Sequence, residues 1–542
     1  MLGGCNGPGS FGAWIENAQN EACAHAQPQI VRDATSCNHG SYSTLRFCRR
    51  IRFAFVRSTQ VKSAHANLEA RLLMCLRAFV ACAAVTGVAC RDVPAPASIA
   101  DRLRDEFSGS YPEHAAPNGT VRTFELVAAP TELPLVDGKP LRVWAYNGQV
   151  PGPTLRIRLG DTLRVRFTNN LPQETTVHWH GVRLPNAMDG VPHVTQPPVQ
   201  PGATFVYEFT PKDAGTFWFH PHVRASEQVE RGLYGVLVVE DAQPPPYSRD
   251  LVWVLDDWLL DGTGQIAREF NTRHDLAMDG RWGNEITVNG RTAATLRARP
   301  GERIRLRLVN SANGRVFTPD FGDLNAKIVA VDGLYLRTPI PARGFELAPG
   351  NRLDVELVFD HSSTQPFVVW DRYVPQRPNR LATVELEGDV VETPQFASPA
   401  RAKVPSWSAG LDAPIAHTFR LNARSGGPFG IAWMIDGVVF EGHDHAMAPS
   451  ATLARGQFAR LHFINESPRI HPIHTHGMFF RVLARGGAPV DEPYFRDTVL
   501  IHPREEIDLG VVPTDAGTWM MHCHILEHAE AGMMTTIAVQ DP

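Results

Sequence analysis

Cysteine is nearly absent from most of this chain. Seven of its eight cysteines lie in the first 90 residues, and beyond Cys90 only Cys523 remains. A single cysteine excludes a disulfide framework within the body of one chain. Because Cys523 lies between His522 and His524, we favour a metal ligand or a nucleophile over a residue that only fills the core.

A strong charge of one sign is also missing. The formal net charge is −5, with 52 basic and 57 acidic residues, which excludes the basic surface that nucleic-acid binding requires. Stretches with helical periodicity are scarce beyond the first hundred residues. The 44 glycines and 43 prolines suit short strands joined by turns, and 542 residues are enough for three or four domains. The composition predicts an all-β protein of several domains.

Long apolar runs are limited to one segment, residues 71–90 (RLLMCLRAFVACAAVTGVAC). Early arginines, an apolar centre and small residues at the end are typical of a signal peptide, here at about 74–90, rather than of a membrane span. Residues 1–90 are then an N-terminal extension, in which 1–73 would come from a start site placed too early. Gly-Val-Ala-Cys at 87–90 resembles a lipoprotein cleavage box, but Gly87 is unusual there. We therefore expect an ordinary exported protein, periplasmic or extracellular, with a lipid anchor as the alternative.

One strand-like unit occurs three times, at 160–170 (GDTLRVRFTNN), 301–311 (GERIRLRLVNS) and 456–466 (GQFARLHFINE). Each copy opens with a turn glycine and then alternates apolar and polar residues, as a half-buried strand does. The spacings of 141 and 155 residues are the size of one β-sandwich. The repeats therefore predict three tandem sandwich domains, at 118–242, 248–390 and 416–542.

His-x-His pairs recur at matching places in the outer two repeats. The positions 18 and 20 residues after each repeat glycine are histidines in the first and third copies but Pro319 and Phe321 in the second. A second pair follows in PKDAGTFWFHPH and PTDAGTWMMHCH, which match at an offset of 302. Alternate residues of a strand share a face, so each pair can hold one site, although a lone pair would be read as an ordinary surface or core dipeptide. We expect domains one and three to clamp one metal cluster, with domain two as a spacer; the histidines are His178, His180, His220, His222, His474, His476, His522 and His524.

The third domain carries further ligands that the first lacks. Cys523, His528, Met533 and His471 stand where the first domain has Pro221, Ser226, Arg231 and Thr175. Two histidines, a thiolate and a thioether form the ligand set of a blue-copper centre, whereas zinc prefers four strong ligands. A Cys–His nucleophile is the other alternative, but no oxyanion-hole motif accompanies it. On this hypothesis Cys523 binds one copper ion while its two histidine neighbours face the cluster, which favours transfer of single electrons towards O2.

The motifs HWHG (178–181), HPH (220–222), HPIHTH (471–476) and HCHILEHAEAGMM (522–534) resemble the four copper motifs of the multicopper oxidases. The likeness covers about 118–542 and is greatest to three-domain bacterial laccase-like and cuprous oxidases. It implies an all-β fold of three tandem cupredoxin-like Greek-key β-sandwich domains and four copper ions. The implied ligands are His471, Cys523, His528 and axial Met533 for type 1, His178 and His474 for type 2, and His180, His220, His222, His476, His522 and His524 for the type 3 pair.

The same resemblance concerns two acidic positions. Asp189, in HWHGVRLPNAMDG, matches a family carboxylate that manages protons near the type 2 copper, with a turn-capping Asp-Gly as the alternative. Many bacterial members have a glutamate directly after the last type 1 histidine, whereas this chain has Ala529 there and Glu530 one residue later. A shift of one residue turns a side chain away, so we expect Asp189 to be the main carboxylate.

The function implied is a laccase-type oxidase that couples oxidation of phenolic or aromatic donors to reduction of O2 to water. A Cu(I) oxidase is the alternative, disfavoured because no methionine-rich insert is present; a copper-free structural relative is a third, disfavoured because all ligands are present. We expect a monomer whose partners are a small-molecule or metal-ion electron donor and O2, without nucleic acid or a membrane span. The remaining histidines singled out, in the loop at 443–445 and at His193, His462 and His502, are interpreted as structural or surface residues.

Overall fold

Strands are the main secondary structure of the part of the molecule that the structure, a computed structural model, describes. The structure describes residues 98–108, 116–292, 294–359, 366–401, 404, 408–441 and 448–542. Within these ranges the strands pair into six sheets, which form three sandwiches in succession along the chain, called domains 1, 2 and 3 below. The segment predicted as a signal peptide and the loop histidines at 443 and 445 lie outside the described residues.

Domain 1 consists of two four-stranded sheets. Their strand orders are β2-β1-β4-β6 and β3-β8-β7-β5. The strands are β1 Val121–Pro134, β2 Pro140–Tyr146, β3 Thr154–Arg158, β4 Thr162–Asn169, β5 His178–His180, β6 Thr204–Phe209, β7 Gly215–His220 and β8 Gly235–Glu240.

Domain 2 pairs a six-stranded sheet with a four-stranded one. The orders are β10-β9-β12-β16-β14-β15 and β11-β18-β17-β13. The strands are β9 Arg249–Trp258, β10 Glu285–Val288, β11 Ala294–Ala298, β12 Arg303–Asn310, β13 Pro319–Asp320, β14 Asn325–Val331, β15 Leu334–Pro341, β16 Arg352–Val358, β17 Phe367–Asp371 and β18 Asn379–Leu386.

Domain 3 pairs a six-stranded sheet with a five-stranded one. The orders are β20-β19-β22-β27-β24-β25 and β21-β29-β28-β23-β26. The strands are β19 Ile415–Ser425, β20 Ile431–Ile435, β21 Ala451–Ala454, β22 Ala459–Asn465, β23 His471–Thr475, β24 Phe480–Arg485, β25 Ala488–Pro489, β26 Thr498–Ile501, β27 Glu506–Val511, β28 Gly517–Cys523 and β29 Met534–Gln540.

Helices are few and short in the part of the chain that the structure describes. Among the described residues none is long and apolar enough to cross a membrane. The α-helices are α1 Ile99–Ser108, α2 Ala225–Glu230, α3 Arg273–Ala277 and α4 Leu526–Glu530, and 3-10 turns lie at Val136–Gly138, Asn186–Met188 and Ser408–Asp412.

The three sequence repeats become β4, β12 and β22, and they occupy equivalent places. Each pairs parallel with the first strand of its domain and antiparallel with a later one. In β4 the apolar residues Leu163, Val165 and Phe167 are fully buried and alternate with more exposed ones, as predicted. In β12 every residue is buried, because its arginines form ion pairs on the second face. The expectation of a half-buried strand is therefore wrong for the middle copy.

Each sandwich has its own apolar core, and a further cluster joins the domains. That cluster includes Trp218 of domain 1, Trp258 and Val309 of domain 2 and Leu526 of domain 3. The prediction of an all-β chain of sandwich domains is confirmed, whereas the boundaries 118–242, 248–390 and 416–542 stay predictions. The packing holds the histidine-bearing strands of domains 1 and 3 at a common boundary.

Candidate metal centres

Paired strands bring the His-x-His motifs side by side. In domain 1, β5 and β7 run antiparallel and place His178 opposite His220. In domain 3, β23 and β28 run antiparallel and place His474 opposite His522. Because alternate residues of a strand share a face, each pair of strands presents its histidines together.

Eight histidines meet at the boundary between domains 1 and 3. They form three groups in which the candidate ligand atoms all lie within 4.8 Å of one another. Every group contains histidines from both domains, so neither domain holds a complete group alone. The groups are His178, His180 and His474; His180, His220 and His524; and His222, His476 and His522.

The rings are in contact and deeply buried. His178 stacks on His476 with 3.8 Å between ring centroids, and His180 stacks on His474 at 3.7 Å. Burial and the neighbouring His474 lower the pKa of His522 to about 3. Neutral imidazole is the form that binds a metal ion, so burial prepares these side chains as ligands.

Hydrogen bonds fix which ring nitrogen faces the cluster. The Nδ1 atoms of His178, His474, His220 and His522 lie 2.8–2.9 Å from the backbone carbonyl oxygens of Asp189, Asp497, Pro221 and Cys523. A carbonyl oxygen accepts a hydrogen bond from Nδ1–H, which leaves the lone pair on Nε2. Among the described residues, Nε2 of His178, His220 and His474 is buried without a hydrogen-bond partner, as are both ring nitrogens of His524 and Nδ1 of His180. Unpaired buried nitrogens are costly, and bound copper satisfies them, so the residues fit the metal.

Asp189 lies directly against this cluster. Its Oδ2 is 2.8 Å from His476 Nδ1, in addition to the contact of its carbonyl oxygen with His178. Gly190 makes the approach possible, because its φ is +78° and a Cβ there would lie 1.9 Å from the Val177 carbonyl oxygen. The structure therefore brings Asp189 to two cluster histidines rather than leaving it as a turn residue only.

A second cluster surrounds Cys523. Its Sγ lies 3.5 Å from Nδ1 of His471 and 3.9 Å from Nδ1 of His528. The far nitrogens are held by Ser467 Oγ at 2.8 Å and by the Met278 carbonyl oxygen at 2.9 Å. Both Nδ1 atoms therefore point at the sulfur, which is the arrangement of a compact metal site.

Methionine and backbone complete this second cluster. Met533 is fully buried, its N–H donates to the His528 carbonyl oxygen and its own carbonyl oxygen accepts from the Cys523 N–H, both at 3.0 Å. The Ile525 N–H lies 3.4 Å from Sγ. Burial raises the pKa of the Cys523 thiol, so metal binding must displace its proton. Two imidazoles and a buried thiol fit copper, and backbone hydrogen bonds keep the buried Met533 beside Cys523 and His528.

The interleaving expected at 522–524 is present in the geometry. His522 and His524 belong to two different histidine groups, whereas Cys523 belongs to the second cluster. Successive residues of β28 point to opposite faces, so one strand end serves both clusters.

Sequence reasoning missed several residues that support the clusters. Asp497 and Thr498 contact His180 Nε2 at 3.3 and 3.2 Å, and Ser467 and Met278 hold the far nitrogens at Cys523. Arg352 of domain 2 binds Asp497, a contact that the interpretation of domain 2 as a spacer did not include. The one available signal was the glycine of HWHG: a Cβ on Gly181 would lie 2.2 Å from Arg352 Nη2.

Three other histidines singled out from the sequence lie in different environments. His462 Nδ1 is 3.2 Å from Asp508 Oδ1, and His502 Nε2 is 3.0 Å from Glu346 Oε2. His193 has a positive φ of 64° in a turn. None of the three belongs to a described metal-type group.

Three sandwiches with a mixed Cys/His/Met cluster beside an eight-histidine cluster define a copper-binding protein of the cupredoxin-like class. Sequence profiles of the multicopper oxidase family match residues 129–244, 249–385 and 416–542. The chain is 30% identical over 465 residues to multicopper oxidase MmcO of Mycobacterium tuberculosis, a match that covers 78% of this chain and 88% of that protein. The chain belongs to the multicopper oxidases.

Solved structures agree with this assignment. The multi-copper oxidase of Pseudomonas thermotolerans is 35% identical with a TM-score of 0.69, and covers 78% of this chain and all of its own (100%). That of Pseudomonas parafulva is 34% identical with a TM-score of 0.68, covering 77% of this chain and 100% of its own. The expected family and cupredoxin-like fold are thus confirmed. The protein is an oxidoreductase whose family binds four copper ions, and the two clusters are compatible with them.

Proposed function

We propose that this protein couples one-electron oxidation of phenolic or aromatic donors to four-electron reduction of O2 to water. The observation that carries the proposal is the contiguity of His522, Cys523 and His524, which puts one peptide unit between the Cys523 cluster and the histidine cluster on either side of Cys523, at the end of β28. This adjacency gives a short covalent path to electrons that pass from one site to the other.

In this proposal each ligand has one role. Copper bound at these positions supplies one-electron redox chemistry and the reduction of O2. His471, Cys523, His528 and Met533 would hold the type 1 copper; His178 and His474 would hold the type 2 copper; His180, His220 and His524 would hold one type 3 ion, and His222, His476 and His522 the other.

The protein side chains do the remaining work. Asp189 accepts and passes protons at Oδ2, the atom that contacts His476. His528 connects the type 1 site to the surface, because its Nε2 lies against the carbonyl oxygen of Met278, a residue 39% exposed. A donor that contacts the Met278 segment is therefore one residue from a type 1 ligand.

Aromatic donors are supported by the surroundings of that segment. Trp282 Nε1 donates to the Asp279 carbonyl oxygen at 3.0 Å, and its ring lies 6.0 Å from the ring of Tyr373. Both residues are half-buried, so each keeps some exposed surface that a phenol can contact.

Cu(I) is the second candidate donor, and the same segment favours it. Met278 is 39% exposed, precedes Asp279 in the chain and lies beside His528, with Arg469 Nη2 3.1 Å from its Sδ. Soft thioether ligands select Cu(I), and one carboxylate adds charge. Burial raises the pKa of Asp279 while Arg469 opposes the shift, so the carboxyl is sensitive to a bound cation.

Steady-state O2 consumption with each donor separates the two candidates. If phenols are the substrates, Trp282→Leu raises KM for a methoxyphenol several-fold, and Met278→Leu leaves it near the parent value. If Cu(I) is the substrate, Met278→Leu raises KM for Cu(I), and Trp282→Leu has little effect. Each donor is the control for the other. A parent protein that carries four copper ions but consumes no O2 with either donor would disprove the proposed function.

We also propose export, on the basis of the sequence at 71–90. N-terminal sequencing of the protein from a fractionated cell tests this: a mature chain beginning soon after Ala89 supports export, and lipid on Cys90 supports the anchored alternative. An uncleaved cytoplasmic chain contradicts both. A monomer is expected, and sedimentation measures it.

A further inference from the structure

Domain 2 has no histidine group among its described residues, yet one of its side chains, that of Arg352, binds the Asp497 carboxylate that contacts the histidine cluster. Arg352 begins β16, and its side chain is completely buried. A buried guanidinium must satisfy five N–H donors, which restricts where it can be placed.

All five donors of Arg352 have partners, and the partners lie in all three domains. Nε donates to the Thr216 carbonyl oxygen in β7 of domain 1 at 3.1 Å. Nη1 and Nη2 donate to the Gly350 and Asp332 carbonyl oxygens in domain 2 at 3.0 and 2.9 Å. The remaining two N–H groups form a two-pronged pair with Asp497 of domain 3, at 2.9 and 2.6 Å.

Asp497 in turn contacts two ligand residues. Its Oδ1 lies 3.3 Å from His180 Nε2, and its carbonyl oxygen lies 2.9 Å from His474 Nδ1. Thr498 Oγ1 donates to the same Oδ1 at 2.8 Å and lies 3.2 Å from His180 Nε2. Arg352 therefore determines where this carboxylate stands, and the carboxylate determines how His180 is turned.

His180 is turned differently from its neighbours. His178, His220, His474 and His522 use Nδ1 for a backbone carbonyl oxygen, whereas His180 uses Nε2 for Asp497 and Thr498 and leaves Nδ1 towards the cluster. An imidazole can expose either nitrogen, so the reversed ring needs a fixed acceptor on its Nε2 side. A carboxylate held by both prongs of Arg352 is such an acceptor.

Glycines allow this arrangement. Gly181, directly after His180, would place a Cβ 2.2 Å from Arg352 Nη2 and 2.5 Å from Asp497 Oδ2. A Cβ added to Gly350, two residues before Arg352, would lie 2.9 Å from ring carbons of His180 and of His524. The Arg352 loop therefore packs directly onto ligands from both outer domains.

We propose that Arg352 is a positioning residue for the trinuclear copper site, acting through Asp497 to hold the reversed ring of His180. The middle domain thus completes a metal site to which it contributes no ligand. The inference rests on the ligand roles proposed above, but it concerns metal retention and can be tested whether or not O2 is reduced.

Copper retention in the purified full-length protein tests the inference. Arg352→Met and Arg352→Lys are loaded with copper and challenged with a graded chelator, and copper per chain, type 1 colour and the type 2 EPR signal are recorded. Removing a residue that orients a metal-binding histidine typically weakens metal binding about 10- to 100-fold. We expect that loss for the trinuclear ions in Arg352→Met, with the type 1 colour retained. A lysine keeps the charge but has three donors and no fork, so Arg352→Lys is expected to fall between Arg352→Met and the parent.

Arg305→Met is the matched control. Arg305 is equally buried in the same sheet and donates to Asp354 and the Tyr335 hydroxyl. Its loss is expected to lower the melting temperature and leave chelator resistance of the trinuclear ions at the parent value. Equal copper loss in Arg305→Met and Arg352→Met would mean general destabilisation and would overturn the inference.

A double-mutant comparison tests the route through Asp497. If Arg352 acts through this carboxylate, Arg352→Lys combined with Asp497→Asn loses no more copper affinity than Asp497→Asn alone. Fully additive losses overturn that route. Arg352→Lys serves if Arg352→Met does not fold, and parent-like retention and EPR signal in a folded Arg352→Lys overturn the proposal by themselves.

Discussion

Asp189 and His476 are hydrogen-bonded across the boundary between domains 1 and 3, with 2.8 Å between Oδ2 and Nδ1. The pair joins a carboxylate of one domain to a cluster histidine of the other while both are buried. Asp189→Asn keeps the shape and an acceptor oxygen but removes proton exchange. We expect turnover to fall about 100-fold, within the range of a lost general acid–base group. Copper content should stay near the parent value; a copper-depleted variant would instead point to a ligand-holding role alone.

The side chain of Glu530 binds Ser226, which is not a cluster histidine. Its Oε2 accepts from the hydroxyl and the N–H of Ser226 in α2, and burial raises its pKa. We therefore expect Glu530→Gln to have a mild effect on turnover compared with Asp189→Asn. A pH–rate profile in which Glu530→Gln is the more damaged variant contradicts this ranking.

The likeness at 522–534 predicts that Ala529 stands where many bacterial multicopper oxidases have a glutamate, and the residue is 6% exposed. On that hypothesis a carboxylate placed there adds a second proton carrier. Ala529→Glu is expected to raise turnover or to move the pH optimum upward. A bell-shaped profile identical to that of the parent would show that the position does not reach the proton route.

Cys523→Ser tests the type 1 assignment. The hydroxyl cannot replace the thiolate as a soft ligand, so the variant should lose its blue absorption and its turnover. The trinuclear ions should stay largely bound, because their ligands are histidines of other groups. Copper analysis and the visible spectrum measure both, and a retained blue band excludes Cys523 as the ligand.

His178→Ala tests the shared cluster. Its Nε2 is one of the unpaired buried nitrogens, so its removal opens the type 2 position without touching the Cys523 cluster. The variant should turn colourless under a reducing donor and regain colour in air about tenfold or more slowly than the parent, since electrons still enter but leave slowly. Recolouring at the parent rate would show that His178 is not a ligand.

His502 and Glu346 form a pair whose contribution depends on pH. The hydrogen bond to Glu346 raises the pKa of His502 above 6.5, and the same bond lowers the pKa of Glu346 below 4.5. The stabilisation that His502 contributes to the folded state is complete below pH 6.5 and is lost as pH rises through the pKa of His502 in the folded protein. The stabilisation that Glu346 contributes is present above pH 4.5 and is lost as pH falls through the pKa of Glu346 in the folded protein. The pair is therefore most stabilising between these values.

Thermal unfolding of His502→Gln checks this window. Both side chains are more than a third exposed, so the loss should not exceed about 1 kcal/mol. The deficit in melting temperature should be present near about pH 5.5 and vanish near about pH 8.5. Glu346→Gln should follow the same pattern, and a deficit that grows with pH would refute the assignment.

Strand periodicity and the spacing of repeats were sufficient to predict β-sandwich architecture, because alternation of apolar residues is a local property. They predicted the burial pattern of β4 correctly but not that of β12. In β12 the side chains on the second face, Arg303, Arg305 and Arg307, are polar yet buried. No local pattern reveals that a polar face will be covered by another domain.

The same division holds at the metal centres. His-x-His spacing and the Cys523 neighbourhood identified every side chain in the two clusters, because ligands carry a recognisable chemistry at a fixed strand period. Which nitrogen of each imidazole faces the metal, and that His180 is reversed, could not be predicted. Arg352, Asp497 and Met278 are distant in sequence from the histidines they support, and only the packing of three domains brings them together. The sequence by itself determined the candidate ligands, whereas the tertiary structure decided their orientation, since orientation depends on hydrogen bonds between segments that the chain keeps far apart.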